Sequence, residues 1–135
     1  MAGKRDRLLE YIDEMEADVF VDELCVKEVQ MKLPGIKHKW VGRLMTHKVI
    51  IAKLYRKKED LKKQTAEKMK TTSMYNMSDN GLDKLIEKQD TVVDINNEIA
   101  SHQLIVEFLD KTEKIFSSLT WDIKNIVELI KLETL

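Results

Sequence analysis

The residues of this 135-residue sequence that could do chemistry are the lysines and arginines near its middle. Six of them form a basic cluster on one short stretch: Lys53, Arg56, Lys57, Lys58, Lys62 and Lys63. Residues 37–70 carry a net charge of +9, whereas residues 1–36 carry −4 and residues 71–135 carry −6. A basic middle between acidic flanks indicates a polyanionic partner. The alternative is a solvated helix whose lysines pair with acidic segments of the same or a neighbouring chain.

The spacing of the basic residues favours contact with a phosphate backbone rather than recognition of bases. One side of a helix would collect Lys53, Arg56, Lys63 and Lys70, with Lys57 beside them. Lys58 and Lys62 turn toward the apolar stripe of the same helix. Trp40 and Tyr55 are the only aromatic residues in this part of the chain, so base stacking contributes little. We therefore predict binding that is driven by phosphates and indifferent to base sequence.

No catalytic or metal-binding constellation is visible in the sequence. The three histidines, His38, His47 and His102, are scattered, and no pair has the spacing that helical zinc sites use. The single cysteine, Cys25, excludes an internal disulfide, and we expect it to be a small buried apolar residue. No glycine-rich phosphate-binding loop occurs. We therefore predict no enzymatic activity, no cofactor and no metal site.

The composition predicts an all-α protein. Charged residues make up 35% of the chain, and its four Gly and one Pro are too few for a sheet-rich fold. We predict short N-terminal helices, the second of which is capped by Asp22 and runs through Val29. Pro34 and Gly35 are expected to break the chain before a long basic helix over residues 36–70.

The apolar positions of that basic helix form a heptad seam. They are spaced alternately by four and three residues: Trp40, Leu44, His47, Ile51, Leu54, Lys58 and Leu61. His47 and Lys58 interrupt the seam with polar groups, which can set the register of packed helices or mark where the seam opens onto water or a ligand. The pattern predicts coiled-coil-like packing along this helix.

The C-terminal part of the chain, residues 82–135, is predicted to form one or two long helices. Its apolar face is wider than a two-stranded coiled coil needs, which favours more than two packed helices. A small chain is not expected to cover both ends of so long a helix. Either the helix breaks near Ser117 and Ser118, or its last third packs against other subunits. The predicted oligomerisation residues are Phe116, Leu119, Ile123, Ile126 and Ile130.

No stretch of the sequence predicts a membrane segment. No apolar run approaches the roughly 18 residues that cross a bilayer. The N-terminal residues also lack the apolar core of a secretory signal. We expect a soluble, cytoplasmic protein.

The order of several short stretches resembles the UvsY recombination mediators of tailed phages. The stretches are Asp18-Val-Phe-Val-Asp22, Leu33-Pro-Gly-Ile-Lys-His-Lys-Trp40, Lys53-Leu-Tyr-Arg56-Lys57-Lys58 and, near the end, Thr120-Trp-Asp-Ile-Lys-Asn-Ile126. The resemblance implies single-stranded DNA binding and a homo-oligomeric ring, hexameric or heptameric. It also implies loading of a RecA-like recombinase onto DNA covered by single-strand-binding protein, during phage recombination, repair and replication in the infected host cell.

The same resemblance singles out two residues of the basic cluster. Arg56 and Lys58 stand where the family carries a basic pair separated by one residue, so they are the expected DNA contacts of greatest effect. An aromatic pair often follows that motif in the family. This sequence has Glu59, Asp60 and Leu61 there instead, which argues against base stacking at this place.

The sequence therefore predicts two regions with different roles. Residues 1–81 form a helical DNA-binding region that ends in a loop over residues 71–81, where Asn80-Gly81 is the strongest turn signal. Residues 82–135 form the oligomerisation region. Two other functions stay open: a coiled-coil scaffold whose basic helix pairs with acidic helices, and a small nucleoid or RNA-binding protein that acts on duplexes.

Overall fold

A computed structural model describes residues 6–72 and 79–134 of the chain. These residues form four helices and no strand: α1 (Arg7–Asp18), α2 (Val26–Thr72), α3 (Asp79–Glu87) and α4 (Asp90–Glu133). The predicted all-α fold, with a long basic helix and a long C-terminal helix, is confirmed. Within the described ranges, no helix combines the length and the apolar composition that a bilayer crossing requires.

The basic helix begins earlier than predicted, because Pro34 and Gly35 do not break it. Both residues lie inside α2, and Gly35 does not adopt a positive φ angle. A proline inside a helix costs about 3 kcal/mol relative to alanine, because it lacks the amide proton and crowds the preceding turn. Leu33 and Trp40 flank the proline and are both buried in one apolar core. Burying each such side chain contributes about 1.5–3 kcal/mol, which offsets the penalty.

The start of α2 is fixed by a turn in the preceding link. The Asp22 carboxylate accepts a hydrogen bond of 2.9 Å from the Cys25 amide, and the Cys25 carbonyl accepts one of 3.0 Å from the Val29 amide. Asp22 thus caps the turn that leads into α2 rather than a separate helix, and the segment predicted as a second short helix runs into the first turn of α2. The Cys25 side chain is half-buried, so its predicted burial is only partial.

The predicted loop over residues 71–81 overlaps helix at both of its ends. Thr71 still belongs to α2, and Asn80-Gly81 lies within α3 rather than in a turn. Residues 73–78 of that loop lie outside the described residues. Glycine costs a helix about 1 kcal/mol relative to alanine. Ile86 of α3 is almost fully buried, and its burial outweighs this cost.

The C-terminal region contains two helices, which separate after Glu87 rather than near Ser117 and Ser118, the break predicted as one alternative. α3 ends at Glu87, where the amides of Lys88 and Gln89 bond to carbonyls of the last turn of α3. α4 then continues through Ser117 and Ser118 without interruption. The Ser117 hydroxyl donates a hydrogen bond to the Glu113 carbonyl one turn earlier, so the serine pair is compatible with a continuous helix.

Both long helices contribute to two compact units. Unit 1 comprises residues 1–46 and 104–135, and unit 2 comprises residues 47–103. These units do not coincide with the two predicted functional regions, which divide the chain after residue 81.

The core of unit 1 joins α1, the first part of α2 and the second part of α4. Its buried members are Tyr11, Met15, Leu33, Trp40, Leu44, Ile105, Leu109, Phe116, Leu119 and Ile123. Trp40 is only 3% exposed, and its ring meets those of Tyr11 and Phe108 edge-on at centroid distances of 5.6 and 6.4 Å. Its indole N–H donates a hydrogen bond of 2.8 Å to Asp18 at the end of α1, so the buried polar atom is satisfied.

This core covers part of the apolar face of α4 that was expected to pack against other subunits. Phe116, Leu119 and Ile123 are buried within a single chain. The chain reaches them because α2 begins at Val26 rather than near residue 36, which adds helix that packs beside α4.

A charged network borders the same core. Arg43 forms an ion pair with Glu14, and its guanidinium lies 4.8 Å from the ring centroids of both Tyr11 and Trp40. Lys39 reaches Asp18 at 2.6 Å. The hydrogen bond from Arg43 is the largest cause that lowers the pKa of Glu14 below its ordinary value, while burial opposes it. The network thus attaches α1 to α2 by charge as well as by apolar contact.

Replacing Pro34 by alanine is expected to raise the free energy of unfolding by about 1–3 kcal/mol, because alanine restores the missing amide and suits a helix interior. Urea denaturation of the variant and of the wild type measures the change. His38→Ala is the control, since it alters an exposed residue of the same helix and leaves the backbone intact. A Pro34→Ala variant that is no more stable than the wild type would contradict a continuous helix at this position.

Replacing Glu14 by glutamine is expected to reduce the sensitivity of the fold to acid. The folded-state pKa of Glu14 is lowered, so its stabilising contribution is present above the ordinary value of 4.5 and is lost as the pH falls below it. The free energy of unfolding, followed from pH 7 to pH 3, should therefore fall less steeply in Glu14→Gln than in the wild type. Glu16→Gln, at an exposed position of α1, is the matched control and should follow the wild type. Parallel curves for Glu14→Gln and wild type would show that the Arg43 ion pair does not stabilise the fold.

Candidate nucleic-acid interface

The six residues of the basic cluster all lie on the part of α2 that belongs to unit 2. Their orientation follows from the seam, which the structure confirms: every seam residue from Trp40 to Leu61 is buried or half-buried. A helix that buries its seam presents the residues between the seam positions to solvent. The positions of the basic side chains are therefore set by the apolar ones.

Four members of the cluster form an exposed basic face. They are Lys53, Arg56, Lys57 and Lys63. Lys58 and Lys62 differ from them, as the spacing predicted, because only 18% and 27% of their side chains are exposed. The cluster is thus not one uniform surface but four exposed cations beside two that are partly covered.

The two covered lysines converge on one acidic residue, Glu87, at the end of α3. Its Oε1 lies 3.0 Å from the Lys62 Nζ and 3.6 Å from the Lys58 Nζ. Its Oε2 accepts a hydrogen bond of 3.2 Å from the Asn96 side-chain amide. Both carboxylate oxygens are therefore engaged, and each lysine has a counter-ion.

The electrostatic effect of this contact is mutual. The hydrogen bond from Lys62 is the largest cause that lowers the pKa of Glu87, and Asn96 adds to it. The hydrogen bond to Glu87 raises the pKa of Lys62, and the charges of Glu87, Glu59 and Asp83 act in the same direction. Glu87 is therefore a carboxylate and Lys62 an ammonium throughout the physiological pH range.

Sequence reasoning did not find Glu87 as a partner of the basic cluster. Residue 87 lies 25 positions beyond Lys62 in the chain, and helix periodicity relates only residues on the same helix. The acidic character of residues 71–135 was the one available signal, and it does not identify which acid meets which lysine.

An open cleft of about 400 Å³ lies between α3 and the C-terminal part of α2. Its lining residues are Glu59, Lys62, Lys63, Ala66, Lys70, Leu82, Asp83 and Ile86. Three ammonium groups thus border the cleft on the α2 side, and Asp83 borders it on the α3 side. The cleft extends the basic surface beyond the six predicted residues to Lys70.

Aromatic side chains contribute little to this surface, in line with the prediction. Trp40 is buried in the core of unit 1 and is not available to a base. Tyr55 is partly exposed, and its hydroxyl accepts a hydrogen bond of 3.2 Å from Gln103. The surface therefore suits the charged backbone of a nucleic acid better than its bases.

The predicted oligomerisation residues separate into two groups in unit 1. Phe116, Leu119 and Ile123 are core residues, as described above, whereas Ile126 and Ile130 are half-buried. These two isoleucines line a groove of about 310 Å³ together with Val21, Asp22, Glu23, Leu129 and Glu133. Leu129 and Leu132 are 60% and 67% exposed. The apolar surface that remains on α4 therefore lies at its C-terminal end.

The structure brings together two of the three histidines that appear scattered in the sequence. The Nδ1 atoms of His47 and His102 are 2.9 Å apart, on α2 and α4 of unit 2. A seam position on one long helix thus meets a residue 55 positions later on the other. Among the described residues, no group of three or more His, Cys, Asp or Glu side chains is placed to hold a metal ion.

Comparison with known proteins relates the chain to a protein family and to solved structures. A family model described as "Recombination, repair and ssDNA binding protein UvsY" matches residues 14–134. A crystal structure of the bacteriophage T4 recombination mediator protein UvsY, lattice type IV, is similar with a TM-score of 0.81 at 16% identity, over 94% of this chain and 98% of that chain. The lattice type II crystal of the same T4 protein gives a TM-score of 0.78 at 15% identity, over 95% of this chain and 98% of that one. Among the curated proteins, none matches.

Proposed function

We propose that this chain, which belongs to the UvsY family of recombination, repair and single-stranded-DNA-binding proteins, is a mediator that helps load a RecA-like recombinase onto DNA covered by single-strand-binding protein. It binds single-stranded DNA without sequence specificity and performs no catalytic step itself. Its partners are the DNA, the recombinase, the single-strand-binding protein and further copies of the same chain. It acts in the phage-infected host cell.

The observation that carries the proposal is the exposed basic face on α2. Lys53, Arg56, Lys57 and Lys63 project from one rigid helix, where they can contact successive phosphates without folding of the protein. Phosphate contacts carry no base information, so affinity should vary little with sequence. Such binding suits a protein that must act wherever single-stranded DNA appears.

The resemblance pairs Arg56 with Lys58, and the structure supports unequal roles for them. Arg56 is exposed, whereas Lys58 occupies a seam position and pairs with Glu87. We therefore assign the primary phosphate contacts to the four residues of the exposed basic face. Lys58 and Lys62 contact DNA only where their ion pairs with Glu87 open.

We further propose that the chain forms a homo-oligomer, a ring of six or seven copies by family resemblance, through the C-terminal end of α4. Of the five predicted residues, Ile126 and Ile130 are the ones placed at this surface, beside the exposed Leu129 and Leu132. The other three residues act indirectly. Phe116, Leu119 and Ile123 anchor α4 in the core of its own chain and so position its C-terminal end. A ring repeats the basic face in every subunit, which raises the apparent affinity for a long strand.

Replacing Arg56 and Lys57 together by glutamine is expected to weaken binding to single-stranded oligonucleotides of every sequence. The logarithm of the binding constant falls with the logarithm of salt concentration by about 0.7 for each phosphate contact, so the slope should flatten by about 1.4 for each subunit engaged. Fluorescence anisotropy titrations at several salt concentrations, with a thymine homopolymer and a mixed sequence, measure both quantities.

The matched control for this experiment is Lys111→Gln with Lys114→Gln, which removes two exposed cations from α4. It should retain the wild-type slope. An unchanged slope in the Arg56/Lys57 variant would contradict the assignment of DNA contacts. A wild-type protein that prefers duplexes would favour the duplex-binding alternative, and one that binds no nucleic acid would favour the scaffold.

Replacing Leu129 and Leu132 together by serine is expected to reduce the oligomer to monomers or dimers while the helical content stays unchanged. Both side chains are exposed in the single chain, so their loss leaves the core intact. Sedimentation velocity gives the mass, and circular dichroism gives the helical content. Leu104→Ser, at another exposed leucine of α4, is the control. A double variant that sediments as the wild type does would place the assembly surface elsewhere.

A further inference from the structure

We propose that α3 acts as an acidic latch on the DNA-binding helix. The Glu87 carboxylate holds the ammonium groups of Lys58 and Lys62 where a DNA phosphate would, and single-stranded DNA must displace it to contact these two lysines. The inference rests on the proposed function, because it concerns the regulation of the same basic surface. Glu87 thereby controls the number of phosphates that each subunit contacts and the affinity for the DNA.

The geometry of the contact is that of a phosphate site filled by a carboxylate. Both groups are anions that present oxygen atoms at about 3 Å to an ammonium. Glu87 Oε1 accepts from Lys62 at 3.0 Å and lies 3.6 Å from Lys58, so one oxygen serves two cations. A phosphodiester oxygen at the same place would meet the same two ammonium groups.

The position of the contact favours competition over a permanent structural pair. The Glu87 side chain is 40% exposed, so water and a ligand can reach it. The carboxylate end of the contact is open to solvent, so a DNA phosphate can take its place and supply the counter-ion that the partly covered lysines need. Asn96 holds the second oxygen of Glu87 and fixes its orientation toward the lysines.

The cleft beside the contact provides a path for the DNA backbone. Lys62, Lys63 and Lys70 border it on α2, and Asp83 borders it on α3, one turn before Glu87. Asp83 also acts electrostatically on Lys62, so α3 opposes the basic helix with two negative charges. Glu59 of α2 lines the same cleft. A strand in the cleft therefore lies near acids as well as lysines, and it contacts Lys62 fully only when Glu87 is displaced.

The small size of α3 is compatible with displacement of the Glu87 side chain from the two lysines. It has nine residues, and isolated helices shorter than about 12–15 residues are marginal in water. Ile86, which is 2% exposed, is the apolar anchor of this helix. The charged contacts of Glu87 lie next to that anchor, so they can be exchanged while Ile86 stays in place.

Replacing Glu87 by glutamine tests the latch, because it removes the competing charge and preserves the size of the side chain. Binding to a thymine homopolymer at about 0.1 M salt should become roughly three- to tenfold tighter, the gain expected when the two ion pairs with Glu87 no longer oppose binding. The salt slope should steepen by up to about 1.4 for each subunit engaged, because two further lysines contact phosphates.

The matched control is Glu98→Gln, which removes one negative charge from an exposed position of α4 in the same unit. Its affinity should stay within twofold of the wild type. A triple variant, Glu87→Gln with Lys58→Gln and Lys62→Gln, should lose the added affinity and the added slope. Should Glu87→Gln lower the melting temperature, Asp83→Asn provides a second measurement, and its affinity should rise by a smaller factor.

The outcomes separate the latch from the proposed function. If the wild type binds single-stranded DNA, and Glu87→Gln and Glu98→Gln both match its affinity and salt slope, the latch is overturned and the proposed function stands. Binding that appears only in Glu87→Gln would support the latch strongly. Absence of single-stranded DNA binding in both the wild type and Glu87→Gln would overturn both proposals.

Discussion

Burial of the α2 seam is the constraint on which the rest of the structure depends. A 47-residue helix with a heptad stripe cannot leave that stripe in water, so other helices must cover it. In unit 1, Trp40 and Leu44 share a core with α1 and α4. In unit 2, the seam residue His47 meets His102 of α4. Once these positions face inward, the geometry of the helix places Lys53, Arg56, Lys57 and Lys63 in solvent. The basic surface is therefore a consequence of the apolar one.

The one charged seam position links stability to function. An ammonium that turns toward a core loses hydration, and this cost is tolerable only when a counter-ion is close. Lys58 meets this requirement through Glu87, which also neutralises Lys62. The acid that makes a lysine acceptable in the seam is necessarily an acid beside the exposed basic face, which we propose as the DNA-binding surface. Packing and the proposed DNA binding therefore share one electrostatic contact.

The likeness to the T4 protein shows how little of such a fold depends on particular side chains. A TM-score of 0.81 accompanies only 16% identity. Helix packing requires apolar residues at regular intervals and tolerates exchanges among residues of similar volume, so a periodic pattern can persist while most identities change. The charged surface is under a similarly loose constraint, because a phosphate backbone accepts cations at many positions. Single residues matter most where charge is partly buried, as at Lys58.

Composition and periodicity by themselves determined the helical class, the seam of α2, the exposed part of the basic cluster and the inward turn of Lys58 and Lys62. These features follow from contacts between residues three or four positions apart, which the sequence contains directly. Only the tertiary structure decided that Pro34 lies within a helix, that Asn80-Gly81 does not form a turn and that Glu87 meets the basic cluster. The turn signals are worth about 1–3 kcal/mol each, and burial of a neighbouring apolar side chain is worth as much. The partner of a lysine 25 residues away depends on how the helices pack, which no local spacing encodes.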